Sequence, residues 1–188
     1  MKSKYPEIGV CGLSCRLCPG YVMKTKSRCR GCKTDWRLGG PCSILHCAVK
    51  SNIEFCGDCA ESGTCKKWTK HREIGKKYDS FKCYQKLEDD IAFIEKHSLT
   101  GFRKSQKVRE KLLRKLLDGF NEGRSKSYFC LAATVLDADE LEEAVEEAKR
   151  NSSGLNIKEK AKLAHSILDR IAEKKGYYLK LRKKAVKK

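Results

Sequence analysis

The sequence predicts a mainly α protein, in which a loop-rich, cysteine-rich metal-binding N-terminal domain precedes a helical bundle of about four or five helices. Three observations carry this. The 188-residue chain holds 12 Cys, and eleven of them lie within residues 1–83. From about Lys66 onward, apolar residues recur with the 3.6 period of a helix. A strand pattern is convincing only at residues 8–10. The expected division is a cysteine-rich domain over 1–70, a helical domain over 71–178 and a basic tail over 179–188. Hydrophobic residues make up 40%, low for one large core but enough for two modest ones.

The cysteines come first. Cys11-x3-Cys15-x2-Cys18 leads into Pro19, and Cys29-Arg30-Gly31-Cys32 is the next motif. Then come Cys42-x4-Cys47 with His46 beside it, Cys56-Gly57-Asp58-Cys59, and Cys65. A C-x2-C pair turns both sulfurs toward one ion through a tight knuckle. Gly31 and Gly57 are expected there because glycine tolerates unusual dihedrals. Residues 1–7 show no apolar signal region, so the expected compartment is the cytoplasm, where thiols stay reduced. Clustered cysteines in such a compartment point to metal. A disulfide scaffold is disfavoured, since adjacent C-x2-C pairs bridge poorly. Cys83 and Cys130 stand apart in apolar helical patterns and read as core thiols.

The candidate metal ligands are therefore Cys11, Cys15, Cys18, Cys29, Cys32, Cys42, Cys47, Cys56, Cys59 and Cys65. Ten thiols do not divide by the four ligands of a closed zinc site. They allow two sites with two spare thiols, or a six-thiolate dinuclear site plus a four-thiolate one. His46 and His71 are candidates to complete a third. Zinc, as two or more ions, is the cofactor expected, and an iron–sulfur cluster is the alternative. The C-x3-C-x2-C spacing is also that of radical SAM enzymes. Those need a barrel of about 200 residues, whereas the chain beyond Cys18 is cysteine-rich and then helical in pattern.

The run C-G-L-S-C-R-L-C-P-G-Y at 11–21 closely resembles the opening of a cysteine-rich microbial family, domain-of-unknown-function family 3795. Cys29-Arg-Gly-Cys32 resembles its second element. Cys42-Ser-Ile-Leu-His-Cys47 is similar to its third, with Leu45 where a basic residue often stands. Cys56-Gly-Asp-Cys59 and Cys65-Lys-Lys-Trp resemble the last two. The resemblance covers about residues 10–70 and implies metal binding through these cysteines, without implying a reaction. The segment 123–133 resembles a helical extension carried by some archaeal members.

The helical half is read element by element. Residues 66–97 are expected to be largely helical, broken near Gly75, with Ile91 and Ile94 on an apolar face. Residues 102–121 carry Val108, Leu112, Leu113, Leu116, Leu117 and Phe120 at helical spacing. Residues 125–136 read as a buried central helix. Asp137-x-x-Glu140 is a capping box, with Leu136 and Leu141 as its hydrophobic staple. The face behind it is Leu141, Ala144, Val145 and Ala148. A second box, Asn156-x-x-Glu159, opens a helix with Ile157, Ala161, Ala164, Leu168 and Ile171 on one side and Gly176 as its stop.

The formal charge is +18, and it is uneven. Residues 1–50 carry ten basic and two acidic side chains, and residues 151–188 carry twelve and three. The middle is nearly neutral. Some of the excess offsets thiolates: two four-thiolate zinc sites would bring the net charge to about +14. Lys24, Lys26, Arg28, Arg30, Lys33 and Arg37 surround the Cys29–Cys32 knuckle, with Tyr21 and Trp36 nearby. With the C-terminal tail (Lys180, Arg182, Lys183, Lys184, Lys187 and Lys188) they form the expected nucleic-acid contact. A protein partner is the other expectation.

Other functional motifs are sparse. Gly123-Arg124-Ser125-Lys126-Ser127 has the composition of an anion site, but reads more simply as a helix stop at Gly123 and a cap at Ser125 or Ser127. His97 and His165 read as surface or capping residues. No H-E-x-x-H, G-x-S-x-G, P-loop or Rossmann fingerprint is present. No apolar run approaches the roughly 18–20 residues needed to span a bilayer. The expectation is a non-enzymatic metal-binding interaction module. An iron–sulfur redox or redox-sensing protein is the alternative.

Overall fold

The computed structural model describes residues 3–34, 42–80 and 82–183. Trp36, Arg37, Lys184, Lys187 and Lys188, all part of the basic regions named above, lie outside the described residues. The fold is mainly helical. Six α-helices occur among the described residues: α1 (Ser43–Lys50), α2 (Lys66–Lys77), α3 (Leu87–Gly119), α4 (Lys126–Val135), α5 (Ala138–Arg150) and α6 (Ile157–Lys174). A 3-10 turn spans Cys56–Asp58. Residues 8–10 do not form a strand. Only one antiparallel bridge, Ile8 to Ser14, is made there. The turn at Gly12 comes too soon for a ladder to extend.

The chain forms two compact units. Unit 1 comprises residues 1–16, 20–105 and 181–188, and unit 2 comprises residues 17–19 and 106–180. Helix α3 contributes to both, and its continuity is broken inside unit 1. Ser98 has φ 65° and ψ 166°, and its Oγ accepts from the Gly101 N–H at 3.4 Å. That is the N-cap relation to N3, so Ser98 restarts the helix.

Unit 1 is built on one apolar cluster that includes Ile8, Val10, Leu13, Ile44, Phe55, Trp68, Leu87, Ile91, Ile94 and Phe102. Helix α1 buries Ile44, Leu45 and Ala48. It ends in a Schellman motif: Asn52 takes φ 54°, and the Ile53 N–H reaches the Ala48 carbonyl at 2.8 Å. Helix α2 is polar and buries only Trp68 and Gly75. A Cβ at Gly75 would stand 2.9 Å from Leu87 Cδ2, so the glycine admits a close neighbour rather than breaking the helix. Arg182 closes the α2 C-terminus. Its guanidinium donates to the Gly75 and Lys76 carbonyls at 2.7 and 3.0 Å. It also pairs with the fully buried Asp79 carboxylate at 3.1 Å.

Unit 2 tracks the periodicity closely. The face Leu112, Leu113, Leu116 and Phe120 of α3 is buried, whereas Val108 is exposed. The buried stripe passes Val108 on the other side of the helix, through Phe102, Gln106, Glu110 and Leu113, and Val108 stands among the exposed Lys104, Lys107 and Lys111. Helix α4 buries Phe129, Cys130, Leu131, Ala132, Ala133 and Val135. Both capping boxes form, at Asp137/Glu140 and Asn156/Glu159. Leu136 and Leu141 are fully buried, as the staple requires. The α6 face is Ala161, Ala164, Ile167, Leu168 and Ala172. Ile157, the first residue of α6, is exposed. Gly176, at φ 71°, ends α6 in a second Schellman motif, with the Tyr177 N–H on the Ala172 carbonyl at 2.9 Å.

Candidate metal centre

The tight loop over residues 7–15 positions the first two thiols. The Gly9 N–H meets the Leu13 carbonyl at 2.9 Å, and the Cys15 N–H meets the Glu7 carbonyl at 2.7 Å. Cys11 stands at the tip of this loop. Gly12 beside it has φ +90°, and a Cβ there would press on Phe55, Ile94 and Ile91. The Cys56 N–H donates to the Val10 carbonyl at 2.8 Å, which fastens the fourth cysteine motif to the first. Cys42 and Cys65 are the N-cap residues of α1 and α2. A helix N-terminus favours negative charge.

The two knuckle glycines act differently. Gly31 has φ +118°, and a Cβ there would collide with the Pro6 carbonyl oxygen at 2.2 Å. It needs both the dihedral and the space. Gly57 is not among the positive-φ glycines, so the expectation of an unusual dihedral is corrected. A Cβ at Gly57 would lie 2.3 Å from the Phe55 ring. Close approach to a core aromatic explains this glycine.

Seven thiols of unit 1 fall into two interacting neighbourhoods. In the first, burial pushes Cys56 up to about 12, and the neighbouring thiolates of Cys11, Cys65, Cys47 and Cys42 push in the same direction. In the second, the Cys15 and Cys32 sulfurs lie 4.0 Å apart, and the buried Lys82 ammonium donates to Cys15 Sγ at 3.4 Å. The hydrogen bond from Cys32 holds Cys15 well below the usual thiol range, against the effect of burial and with help from Lys82. Cys32 is displaced upward by that same bond and by burial. Burial also raises Cys11, with Cys15 and Cys42 adding to it and Lys82 opposing. Cys11 thus interacts with both neighbourhoods.

Cys18 belongs to unit 2. There burial first, and then Cys18, push the Cys130 thiol up to about 12. Of the opening C-x3-C-x2-C motif, Cys11 and Cys15 therefore act on each other in unit 1, while Cys18 stands with Cys130 in unit 2. Cys29 and Cys59 are held by backbone bonds, to the Gly20 carbonyl at 2.8 Å and the Cys56 carbonyl at 3.2 Å. Cys83 and Cys130 are buried, as core thiols should be. Cys83 lies in the connection between α2 and α3 rather than in a helix.

The donor set suits a thiophilic cation. On a tetrahedral zinc with Zn–S near 2.3 Å, two sulfurs stand roughly 3.8 Å apart, close to the Cys15–Cys32 separation. Among the described residues, no three His, Cys, Asp or Glu side chains stand within coordinating distance of one point. His71 is the other donor of note. Its Nε2 is buried without a hydrogen-bond partner, its ring stacks on Trp68 at 6.0 Å, and burial lowers its basicity. His46 is exposed on α1.

The basic knuckle also has a defined geometry. Lys26, Arg28 and Arg30 are exposed and, with Ser3, Pro6, Lys33 and Thr34, line a cavity of about 530 Å³. Lys33 differs from the rest. Its side chain is fully buried and paired with Glu54, and it also donates to the Glu54 carbonyl at 3.2 Å. Composition ranks it with its neighbours, and nothing in the local pattern marks it as internal.

Residues 7–70 match the model of a family described as Protein of unknown function (DUF3795), the family that the motifs of this segment resemble. Searches of curated proteins and of solved structures found no match. No helix among the described residues is long and apolar enough to cross a membrane.

Proposed function

With residues 7–70 matched to a family of unknown function, we propose that this segment is a metal-binding module held together by thiolate-bound zinc. The observation that carries the reading is the pair of thiol neighbourhoods in unit 1. One comprises Cys11, Cys42, Cys47, Cys56 and Cys65, and the other Cys15 and Cys32. Burial and neighbouring thiols raise Cys11, Cys32 and Cys56, and a bound cation removes that penalty by holding such groups as thiolates. Helix N-termini at Cys42 and Cys65 favour the same charge state. The module is cytoplasmic in this reading, because free thiols of this density persist where the medium is reducing.

The test is anaerobic purification, then metal analysis and a visible spectrum. Two or more zinc ions per chain and no colour are expected. Cys56→Ser should release about one equivalent. A brown protein with stoichiometric iron and broad absorbance near roughly 400 nm would replace zinc with an iron–sulfur cluster.

A second reading rests on the cavity of Lys26, Arg28 and Arg30. Three exposed cations around one hollow beside the Cys29–Cys32 knuckle suit the phosphates of a single-stranded nucleic acid. Binding of a short oligonucleotide should weaken steeply between about 50 and 200 mM salt, as is typical of phosphate contacts. Lys26→Gln with Arg28→Gln should flatten that slope. No binding at the lowest salt rejects this reading without touching the metal one.

A further inference from the structure

The helical unit contains a second basic hollow, distant in sequence from every cysteine motif. It is about 490 Å³ in volume and is lined by Glu122, Arg124, Ser125, Lys158, Ala161, Lys162 and His165. Lys158, Lys162 and His165 occupy one face of α6 at i, i+4 and i+7 spacing. Arg124 and Ser125 come from the turn before α4. Three cations therefore face one hollow, and two of them stand at the spacing where like charges on a helix repel.

The hollow holds one carboxylate, and it is committed. Ser125 is 3% exposed and donates to Glu122 Oε2 at 2.6 Å. That uses its only proton. Its contact with His165 Nε2 at 2.8 Å must then be one in which the imidazole donates. Tyr128 fixes the ring by stacking on it at 3.7 Å, and its hydroxyl lies between the Asp169 carboxylate at 2.9 Å and the His165 carbonyl at 3.0 Å. The expected cap at Ser125 does not form: it occupies the N-cap position of α4 without a side-chain capping bond, and no acidic residue stands in the first turn of α4. The positive end of the α4 dipole adds to Arg124, Lys158 and Lys162.

We propose that this hollow binds the phosphate group of a small molecule, held by Arg124, Lys158 and Lys162 around the His165–Ser125–Glu122 chain. Three cations against one engaged carboxylate match a dianion. The volume leaves room for a small organic group beyond the phosphate. The site stands on the geometry of unit 2 alone and does not depend on the metal reading.

The test is a titration of the full-length protein, with the His165 ring followed by NMR at low salt. The two probes are inorganic phosphate and ribose 5-phosphate. A saturable shift of the His165 signals is expected with at least one probe. Arg124→Gln with Lys162→Gln should weaken it tenfold or more, and Glu122→Gln should tighten it several-fold by removing the carboxylate. Equal affinity for the two probes assigns the site to inorganic phosphate, and tighter binding of the sugar ester assigns it to a phosphate monoester. The proposal is overturned if neither probe gives a saturable shift, or if the double variant, with helicity unchanged, responds like the parent.

Discussion

Lys33 shows how far a residue's role depends on what surrounds it. Its neighbours Lys26, Arg28 and Arg30 are exposed cations, while Lys33 points inward to Glu54. Burial works against the Glu54 charge, but Lys33, the Lys4 N–H and Ser3 hold the carboxyl below its usual range. Lys33→Ala leaves the carboxylate without its buried partner, and a loss of about 2–3 kcal/mol in urea unfolding is expected. Lys26→Ala should change stability by less than about 0.5 kcal/mol. Glu7 is a parallel case with a pH signature. It is 4% exposed. Burial opposes its charge, yet its backbone bond, Arg16 and Arg103 hold its pKa below the ordinary carboxyl value. A depressed carboxyl contributes stability that is complete above the unfolded carboxylate range and is lost as pH falls through the folded value. Glu7→Gln should therefore narrow the gap between urea midpoints at about pH 7 and pH 3. An unchanged gap would exclude Glu7 as a source of acid sensitivity.

At the scale of elements, the termini show the physics most clearly. The Asp137/Glu140 box is reinforced by Lys175, which bonds Asp137 at 2.8 Å and Glu140 at 2.9 Å. Asp137→Ala should cost about 1 kcal/mol through the lost cap, measurable as a lowered thermal midpoint of unit 2. Arg182 plays the corresponding part at the other end of a helix. Its charge alone places it with the tail, yet it is spent on the last carbonyls of α2 and on Asp79. Arg182→Ala should speed amide exchange in the last turn of α2 and at Tyr84, whose N–H also bonds Asp79 at 2.5 Å. Gly57 belongs to this scale too, because its 3-10 turn lies against Phe55. Gly57→Ala should destabilise unit 1 by about 1–3 kcal/mol through overpacking.

For the whole molecule, the proposed metal and the division into units make a joint prediction. Unit 1 carries long cysteine loops around a modest core, which is the situation in which metal binding supplies folding energy. Chelation should red-shift the tryptophan fluorescence, since Trp68 is buried against Phe55, while most α-helical circular dichroism from unit 2 persists. Full loss of zinc with an unchanged emission maximum would show that metal does not support the fold. The capping boxes, the staple, the α5 face and the Gly176 stop are legible in the sequence because each is a local pattern of polar caps and apolar spacing. Periodicity misplaces Val108, because the buried stripe there runs through Gln106 and Glu110, polar residues that an apolar pattern passes over.

By itself the sequence determined the helical class, the capped starts of α5 and α6, the cysteine series and the family that series resembles. All of these are encoded within a few residues of one another, where caps, periods and spacings act. Only the tertiary structure decided which thiols act on one another: Cys56 with Cys11, Cys42, Cys47 and Cys65; Cys15 with Cys11, Cys32 and Lys82; Cys18 with Cys130. It also decided that Lys33 and Arg182 serve the fold, and that Lys158, Lys162 and His165 meet Arg124 and Ser125 around one hollow. Such relations join residues far apart along the chain, and only packing brings their charges close enough to interact.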